Sequence, residues 1–310
     1  MSNEVQLVEK PTAKEIYMLA GWRQWADAGS VSSGLPQYLI EQSKAHKIGS
    51  IDPSGFYLFQ IPGTHDLVRP VVKFKEGYPE YLESERNEFF YAGDKERGIV
   101  YFLGDEPHLD AERYVNALLQ AAKTLKVKRI IGFGGVYGEL PYSKERMVSS
   151  TYSKKHMREE LDKLAVNFSD YQGGGSIGSY ICRRAAEQDI EYLSLYAFVP
   201  TYDFTSMSRN ASGIQIENDF MAWLGIMRRV DYLLKLNMDL SDLEAKSERL
   251  VKLMDAKIEE ISKSFPDIDM REYIQQLEED FEEVVFEPLQ DLWEDEINRL
   301  FDKFDGEQEQ

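Results

Sequence analysis

Short apolar runs alternate with amphipathic stretches along the first part of the chain. Residues 16–21 are an apolar run that ends at a glycine, which is typical of a buried strand. Several other runs have a similar length and character. The pattern predicts strands over residues 16–21, 56–60, 68–74, 129–133 and 192–199, the last of them stopped by Pro200.

Two further apolar runs, 88–91 and 99–103, lie on either side of the polar segment 94–98 and predict a β-hairpin. Apolar residues at helical spacing predict helices between the strands. The predicted helices cover residues 30–45, 110–125 with Asp110 as the N-cap, 154–164 and 176–188. Because strands and helices alternate, we expect an α/β fold with a sheet covered on both faces. The hairpin makes that sheet mixed rather than wholly parallel.

From residue 218 onward the pattern is helical. Residues 218–237 predict a helix that leads out of the core, and Ser241 with Glu244 has the pattern of a capping box for the next helix. Apolar residues three and four positions apart then form three stripes, separated at Pro266 and Pro288. The stripes are Leu243, Leu250, Met254, Ile258 and Ile261; Ile274, Leu277, Phe281, Val284 and Val285; and Leu289, Leu292, Trp293, Ile297, Leu300 and Phe304. Such helices either pack on their own domain or offer a face to a partner or sister subunit, and both interpretations stay open.

Charge and glycine content change abruptly near residue 230. Of the 55 acidic residues, 25 lie in residues 231–310, where Gly306 is the only glycine. We therefore predict two domains, an α/β domain of residues 1–230 and an acidic α-helical subdomain of residues 231–310. The net charge of −19 argues against nucleic acid and against anionic lipid as partners, because both attract basic surfaces.

The chain contains one cysteine, Cys182, which excludes a disulfide framework and a cysteine-based zinc site. Its first residues lack a basic segment ahead of an apolar core, and no run of about 18 apolar residues is present. We therefore expect a cytoplasmic protein without a membrane segment.

The segment 173–178 matches two motifs at once. Gly173, Gly175 and Gly178 give the GxGxxG spacing of dinucleotide-binding folds, but the acidic residue expected about 20 positions later has only a poor equivalent in Asp203. Gly174, Ser176 and Gly178 give the GxSxG spacing of a nucleophile elbow.

That hydrolase motif requires a histidine after the serine, whereas all four histidines precede Ser176. What remains is a glycine-rich turn at the start of a helix. Such a turn either binds an anion or permits tight packing of a helix on a strand.

Three other loops follow predicted strands. The loop 104–110 holds acidic residues and His108, which either bind a metal or form a turn and helix cap. The loops 21–29 and 132–138 are rich in glycine, and the first contains two tryptophans, an arginine and an aspartate that can line a pocket or an interface.

In order along the chain, these loops resemble the PAC2 family, which is related to the proteasome assembly chaperones. The matching pieces are Gly21-Trp22 with Asp27-Ala28-Gly29, then residues 104–107, Gly134-Gly135 with Pro141, residues 171–173 running into Ile177, and residues 199–202. The acidic helical end is similar to that of bacterial members at residues 240–244 and 276–279.

The resemblance implies a three-layer α/β/α sandwich, similar to nucleoside phosphorylases and related hydrolases, followed by a helical region. It also implies a homo-oligomer with a protein partner, since relatives act as chaperones on proteasome α subunits. It supplies no catalytic residue, and we expect neither cofactor nor metal. The candidate pocket or interface residues are Trp22, Asp27, Glu106, Gly134, Gly135, Gly173, Gly175, Ser176, Pro200 and Tyr202.

The chain departs from the family pattern in two respects. Tyr142 and Thr201 follow prolines at positions where members often carry histidine, and the chain ends at Gln308-Glu309-Gln310 without the hydrophobic–Tyr–any tripeptide of relatives that dock on the proteasome. We favour a non-enzymatic assembly chaperone or scaffold. The alternative is a phosphate- or nucleoside-binding protein or enzyme with a pocket at Trp22, Asp27, Gly135 and residues 173–178.

Overall fold

The computed structural model describes residues 4–59, 69–83, 85–203, 213–264 and 270–286. The strands are β1 Val5–Leu7, β2 Glu15–Arg23, β3 His46–Ile51, β4 Val71–Lys75, β5 Tyr78–Glu83, β6 Asn87–Gly93, β7 Arg97–Asp105, β8 Arg129–Gly138, β9 Val148–Tyr152, β10 Asn167–Phe168, β11 Glu191–Tyr202 and β12 Ile214–Gln215. The helices are α1 Gly34–Ser43, α2 Ala111–Thr124, α3 Arg158–Leu161, α4 Ile177–Glu187, α5 Phe220–Leu234, α6 Ser241–Ser264 and α7 Met270–Asp280.

Ten of these strands form one mixed sheet in the order β1-β3-β6-β7-β2-β8-β11-β9-β10, with β12 beside β11. The four central strands, β7, β2, β8 and β11, are parallel. The strands that flank them, β6 and β9, are antiparallel to their central neighbours. The carboxyl ends of the central strands therefore meet at one edge, where ligands bind in many open α/β sheets.

Helices cover both faces of the sheet, as the alternating pattern predicts. Along β2, Leu19 joins a core with α1 and α5, whereas its neighbour Met18 joins a separate core with α2 and α4. Successive residues of a strand point to opposite faces, so the two cores lie on opposite sides of the sheet. Complete burial of one leucine or methionine stabilises the fold by about 1.5–3 kcal/mol. The structure confirms the mixed α/β sandwich.

Several elements differ from their predicted bounds. The segment 154–164 forms three short helical turns instead of one helix, and Phe56 lies in a turn, not in a strand. Strand β11 continues past Pro200 to Tyr202. Pairing with β9 ends at Ala197, so Pro200 lies where the strand has lost that neighbour, and proline is tolerated at such an edge.

The two predicted helix caps had different outcomes. Asp110 is the N-cap residue of α2, as predicted, but it has φ 51° and its side chain makes no capping hydrogen bond. Ser241 is the first residue of α6, and its amide donates to Oδ1 of Asp239. The helix begins one residue earlier than the motif suggests, so Ser241 lies inside its first turn and Asp239, two positions before it, accepts from its amide.

Helix α5 does not lead out of the core. Its residues Ala222, Trp223, Ile226 and Met227 are buried and belong to the core on one side of the sheet. Leu243, Met254 and Ile258 of α6 belong to the same core. The described helices after residue 230 thus join the core on this side of the sheet, with α6 packed on α5.

The division into domains at residues 230 and 231 stays a prediction. Helix α7 ends at Asp280, so Val284 and Val285 of the second stripe are exposed and not helical. Pro266 and the third stripe, from Leu289 to Phe304, lie outside the described residues. None of the helices in the described residues has the length and apolar character needed to cross a membrane.

Candidate functional site

The loops singled out in the sequence meet at the carboxyl edge of the central strands. Arg23 at the end of β2 lies beside Asp105 at the end of β7. The loop after β2 continues to Asp27, which bridges to Gly135 of β8. The start of α4 reaches the same edge, because the amide of Ile177 contacts Glu106. The fold therefore gathers segments that are up to about 150 residues apart in the chain at one place.

Glu106 occupies the N-terminus of α4. Its Oε1 accepts a hydrogen bond of 2.6 Å from the amide of Ile177. Ser176 is the N-cap, and its Oγ accepts from the amide of Ser179 at 3.3 Å. Burial raises the pKa of the Glu106 carboxyl, while hydrogen bonds from the amides of Ile177 and Trp25 oppose that rise. The position that a helix N-terminus offers to an anion is thus filled by a carboxylate of the chain.

Ser176 has tyrosine and serine hydroxyls around it. Its Oγ lies 3.1 Å from the hydroxyl of Tyr196 and 3.4 Å from Oγ of Ser179. The three described histidines are engaged elsewhere: His46 with Glu9, His108 with the amide of Leu58, and His156 with Glu191. His65 lies outside the described residues. The surroundings of Ser176 are those of a helix cap, in keeping with the failed histidine order of the GxSxG motif.

A narrow cleft lies between the start of α4, the end of β2 and the first half of β11. The side chains around it include Trp22, Glu106, Phe133, Ser176, Tyr192 and Tyr196. The volume available is about 10 Å³, which is the space that a single water molecule requires. The ring of Tyr196 lies where a side chain on Gly134 would have to be, so this glycine leaves room for the ring and does not itself line the cleft.

Trp22 is a core residue. It is 4% exposed, and its indole Nε1 donates to the hydroxyl of Tyr114 at 3.0 Å. That hydroxyl donates in turn to Oδ1 of Asn87 at 2.9 Å, which also accepts from Tyr57. The network ties β2, β6 and α2 together behind the cleft.

Asp27 holds the loop that leads into α1. Its Oδ1 accepts from the amides of Ser32 and Ser33, both at 2.9 Å, and its Oδ2 accepts from Oγ of Ser33 at 2.7 Å. Burial raises the pKa of this carboxyl. The three hydrogen bonds direct both oxygens toward the start of α1.

Gly135 allows the same loop to lie directly on β8. Its amide donates to the carbonyl of Ala26 at 2.9 Å, and a Cβ at this position would collide with the carbonyl oxygen of Ala28. A residue with a side chain would push the loop away from the strand. This glycine therefore serves the close approach of two backbones.

The remaining candidate residues do not line the cleft. Pro200 and Tyr202 are buried, and the Tyr202 hydroxyl donates to the carbonyl of Leu140 at 2.7 Å. Gly173 and Gly175 are exposed in the turn before α4. Any binding role of the ten candidate residues stays a prediction.

Ion pairs with buried carboxylates are a feature that the sequence analysis missed. Asp105 pairs with Arg23 at 2.5 Å and also accepts from the amide of Arg86. Arg146 and Asp219 are both completely buried and pair at 2.8 Å. Arg23 is partly exposed, whereas Asp105, Arg146 and Asp219 are buried. Charged residues are so rarely buried that nothing in the local pattern marks these three.

Two exposed aromatic side chains rise from the same edge as the cleft. Trp25 and Tyr171 are each 71% exposed, and together we call them the aromatic rim. The indole of Trp25 lies over the turn that contains Gly174, and the Tyr171 hydroxyl donates to the carbonyl of that glycine at 3.2 Å. The aromatic content of the loop 21–29 was the only sequence signal for this feature.

The described part of the chain was also considered for clusters of side chains that could bind a metal ion. No three histidine, cysteine, aspartate or glutamate side chains lie together there in a way that could hold a metal ion. Cys182 is buried, which raises the pKa of its thiol to about 11. At neutral pH this thiol is protonated and therefore unreactive.

The comparisons with known proteins agree on one family. The sequence pattern of the PAC2 family matches residues 22–258. Among solved structures, a PAC2 family protein from Streptomyces avermitilis has a TM-score of 0.66 and 20% identity, and the match covers 84% of this chain and 99% of that one. No curated protein sequence matches the chain.

Two further structures are similar in fold. The proteasome-assembly chaperone homologue of Mycobacterium tuberculosis has a TM-score of 0.68 and 20% identity, with 84% of this chain and 99% of that one covered. An archaeal proteasome activator from Pyrococcus furiosus has a TM-score of 0.59 and 17% identity, with 81% and 97% covered. Since the family pattern spans most of the sequence and the fold agrees, this chain belongs to the PAC2 family.

Proposed function

We propose that this protein is an oligomeric assembly chaperone or scaffold that binds a protein partner at the carboxyl edge of its sheet. The aromatic rim is the observation that carries this proposal. Tryptophan and tyrosine are enriched among the residues that dominate protein interfaces. Trp25 and Tyr171 are largely exposed, but a hydrogen bond and the neighbouring turn hold them at a defined place.

Hydrogen bonds hold the two loops that carry the aromatic rim in place. The backbone ahead of α1 is held by three hydrogen bonds to Asp27 and by its contact with Gly135. The turn before α4 is held by Ser176 and Glu106. A preorganised surface loses little conformational entropy when a partner binds. The arrangement therefore suits recognition of a folded partner.

Proteasome α subunits, or another assembly built from several subunits, are the proposed class of partner. This choice follows from relatives described as a proteasome-assembly chaperone homologue and a proteasome activator. The proposal retains the cytoplasmic location and the homo-oligomeric state expected from the sequence.

The small-molecule alternative has less support from the geometry. The N-terminus of α4 is filled by Glu106, and the cleft of about 10 Å³ is too narrow for phosphate or a nucleoside. Both oxygens of Asp27, a residue of the proposed pocket, are engaged with the start of α1.

Co-purification of the tagged protein from its own host, analysed by mass spectrometry, tests the proposal. We expect an assembling partner in near-equal amounts with the wild-type protein, and its loss from the variant that combines Trp25→Ala and Tyr171→Ala. Leu253→Ala is the matched control, because Leu253 is 68% exposed on α6, outside the rim. A wild-type protein that recovers only itself would contradict the proposal, as would a rim variant that retains the partner.

A further inference from the structure

Residues 282–286, which we call the strap, follow α7 and have neither helical nor strand structure. Two side chains fasten the strap to the rest of the described chain. Glu283 pairs with Lys144, and Phe286 is only 4% exposed. Val284 and Val285 between them are about half exposed, and no hydrogen bond between backbones joins the strap to the other described residues. The strap is therefore held in the way that a short linear peptide motif is held, by anchor side chains alone.

The first anchor is a carboxylate bound to the loop between β8 and β9. Oε1 of Glu283 accepts from the amide of Glu145 at 2.9 Å, and Oε2 lies 3.1 Å from Nζ of Lys144. Arg146 holds this loop in its shape, because its Nη1 donates to the carbonyls of Tyr142 and Lys144. No atom of the strap takes part in those two bonds. The carboxylate site is therefore formed by the loop itself.

The second anchor is an aromatic ring that lies on a buried cation. Cζ of Arg229 is 4.9 Å from the centre of the Phe286 ring, and the Tyr232 ring meets Phe286 edge-on with the centres 5.8 Å apart. Arg229 is 1% exposed, and it donates to the carbonyls of Leu164 and Gly225. Because these bonds do not involve the strap, the guanidinium is fixed in place before the ring arrives.

We propose that this groove, between the loop 142–146 and α5, binds a segment of a partner protein that carries an acidic residue three positions before a phenylalanine, and that the strap occupies the groove until such a segment displaces it. The strap itself defines the chemistry. An amide and an ammonium group together select an anion, and a desolvated guanidinium favours the face of an aromatic ring.

This groove is a second site, separate from the aromatic rim. Phe286 belongs to the core that contains α5, whereas Ile177 at the start of α4 belongs to the core on the opposite side of the sheet. The rim lies over the turn before α4. The inference thus goes beyond the proposed function and makes no use of the rim.

The covalent attachment of the strap to α7 sets the affinity that a partner segment has to overcome. A segment tethered over a short distance competes at an effective concentration that is roughly millimolar. An outside segment binds only those molecules whose groove is open, so its apparent dissociation constant rises by the inverse of the open fraction. A strap that fills the groove about nine tenths of the time weakens an outside segment about ten-fold.

Fluorescence anisotropy of a labelled peptide with the sequence of residues 280–286 tests the inference on the full chain. We expect the peptide to bind the Phe286→Ala variant at least ten-fold more tightly than the wild type, because that strap has lost its ring. Val285→Ala, which changes an exposed residue of the strap, is the matched control and should bind as weakly as the wild type. Adding Lys144→Glu to Phe286→Ala should weaken binding at least five-fold, because it places a negative charge opposite the peptide carboxylate.

A second measurement leaves Phe286 in place, since Phe286→Ala uncovers a buried charge and can destabilise the fold. Cys182 is buried, so the thiol introduced by Val285→Cys takes a nitroxide spin label selectively. An excess of unlabelled peptide should increase the mobility of the label as the strap leaves the groove. The same peptide with alanine in place of its last phenylalanine should leave the mobility unchanged.

Equal affinity of the peptide for the wild type and for a folded Phe286→Ala variant would overturn the inference, and so would the absence of binding to both. A spin label whose mobility does not respond to the peptide would overturn it as well, whether or not Phe286→Ala folds. The two proposals fail separately. A protein with Trp25→Ala and Tyr171→Ala should still release its strap to the peptide, even where it has lost the partner bound at the rim.

Discussion

Oε1 of Glu106 lies 2.6 Å from the amide nitrogen of Ile177, so a carboxylate from the loop after β7 occupies the N-terminus of α4. The glycine-rich turn before this helix has the form of an anion-binding site. The anion that it holds belongs to the chain itself. The contact joins two neighbouring loops of the sheet edge and holds the turn on which Tyr171 stands.

Substitution of Glu106 tests this contact. We expect Glu106→Ala to lower the free energy of unfolding by about 1–3 kcal/mol, because the α4 amide loses a charged acceptor. The vacated helix terminus should then bind phosphate, and phosphate should raise the melting temperature of Glu106→Ala more than that of the wild type. Glu106→Gln, which keeps an acceptor oxygen, should lose less stability. Equal stability of the alanine variant and the wild type would show that the contact is not needed.

The buried pair of Arg146 and Asp219 gives a second prediction. Removing one partner leaves the other charge buried without compensation, so Asp219→Ala should cost about 3–5 kcal/mol of unfolding free energy. Asp219 also accepts from the amides of Met221 and Ala222 at the start of α5. Asp219→Asn can keep those two hydrogen bonds and should cost less.

Urea unfolding measures both variants of Asp219. The control is Glu96→Ala, which breaks an exposed ion pair with Lys14, and we expect it to change the stability little. A loss for Asp219→Ala no greater than that for Glu96→Ala would mean that the buried pair contributes nothing.

A third prediction concerns the contact between the loop after β2 and β8. Gly135→Ala places a Cβ against the carbonyl oxygen of Ala28, and backbone cannot move aside as a flexible side chain can. We expect a loss of about 1–3 kcal/mol or more from this overpacking. Gly174→Ala is the matched control, because the nearest atom to its Cβ would be 3.8 Å away, in Trp25. Similar melting temperatures for the two variants would refute the argument.

The raised pKa of Asp27 predicts a pH dependence with a definite sign. Burial raises the pKa of this carboxyl in the folded state, so between its ordinary value of 3.8 and its raised value the folded protein binds more protons than the unfolded chain. The free energy of unfolding therefore falls as pH rises through that interval. The stability of the wild type relative to Asp27→Asn should follow this fall and level off above the raised pKa.

Asp94 provides the opposite case. Hydrogen bonds from the amides of Arg97 and Glu96 lower the pKa of its carboxyl. The stability of the wild type relative to Asp94→Asn should thus increase as pH rises toward the ordinary pKa. Urea unfolding at a series of pH values measures both differences, and slopes of the same sign would contradict the assigned causes.

The local sequence pattern was sufficient to predict the strands and helices whose hydrophobic residues recur with a strong period. Strands β2, β6, β7 and β8 and helices α2 and α4 were predicted from their own residues, because burial on one or both faces leaves a repeat of two or of 3.6 residues. The order of these elements along the chain was also sufficient to predict the mixed α/β fold class. The resemblance of the ordered loops to the PAC2 family was confirmed by the family match over residues 22–258.

The sequence by itself thus determined the class of fold, the family and the loops at the sheet edge. Only the tertiary structure decided what those loops do there. It buries Trp22 and exposes Trp25, three residues away, and it pairs Glu106 with Ile177 and Arg146 with Asp219 across more than 70 residues of chain. The reason is physical. Periodicity records whether a residue faces the core of its own element, whereas the partner of a polar side chain depends on which distant segment the fold brings within hydrogen-bond distance.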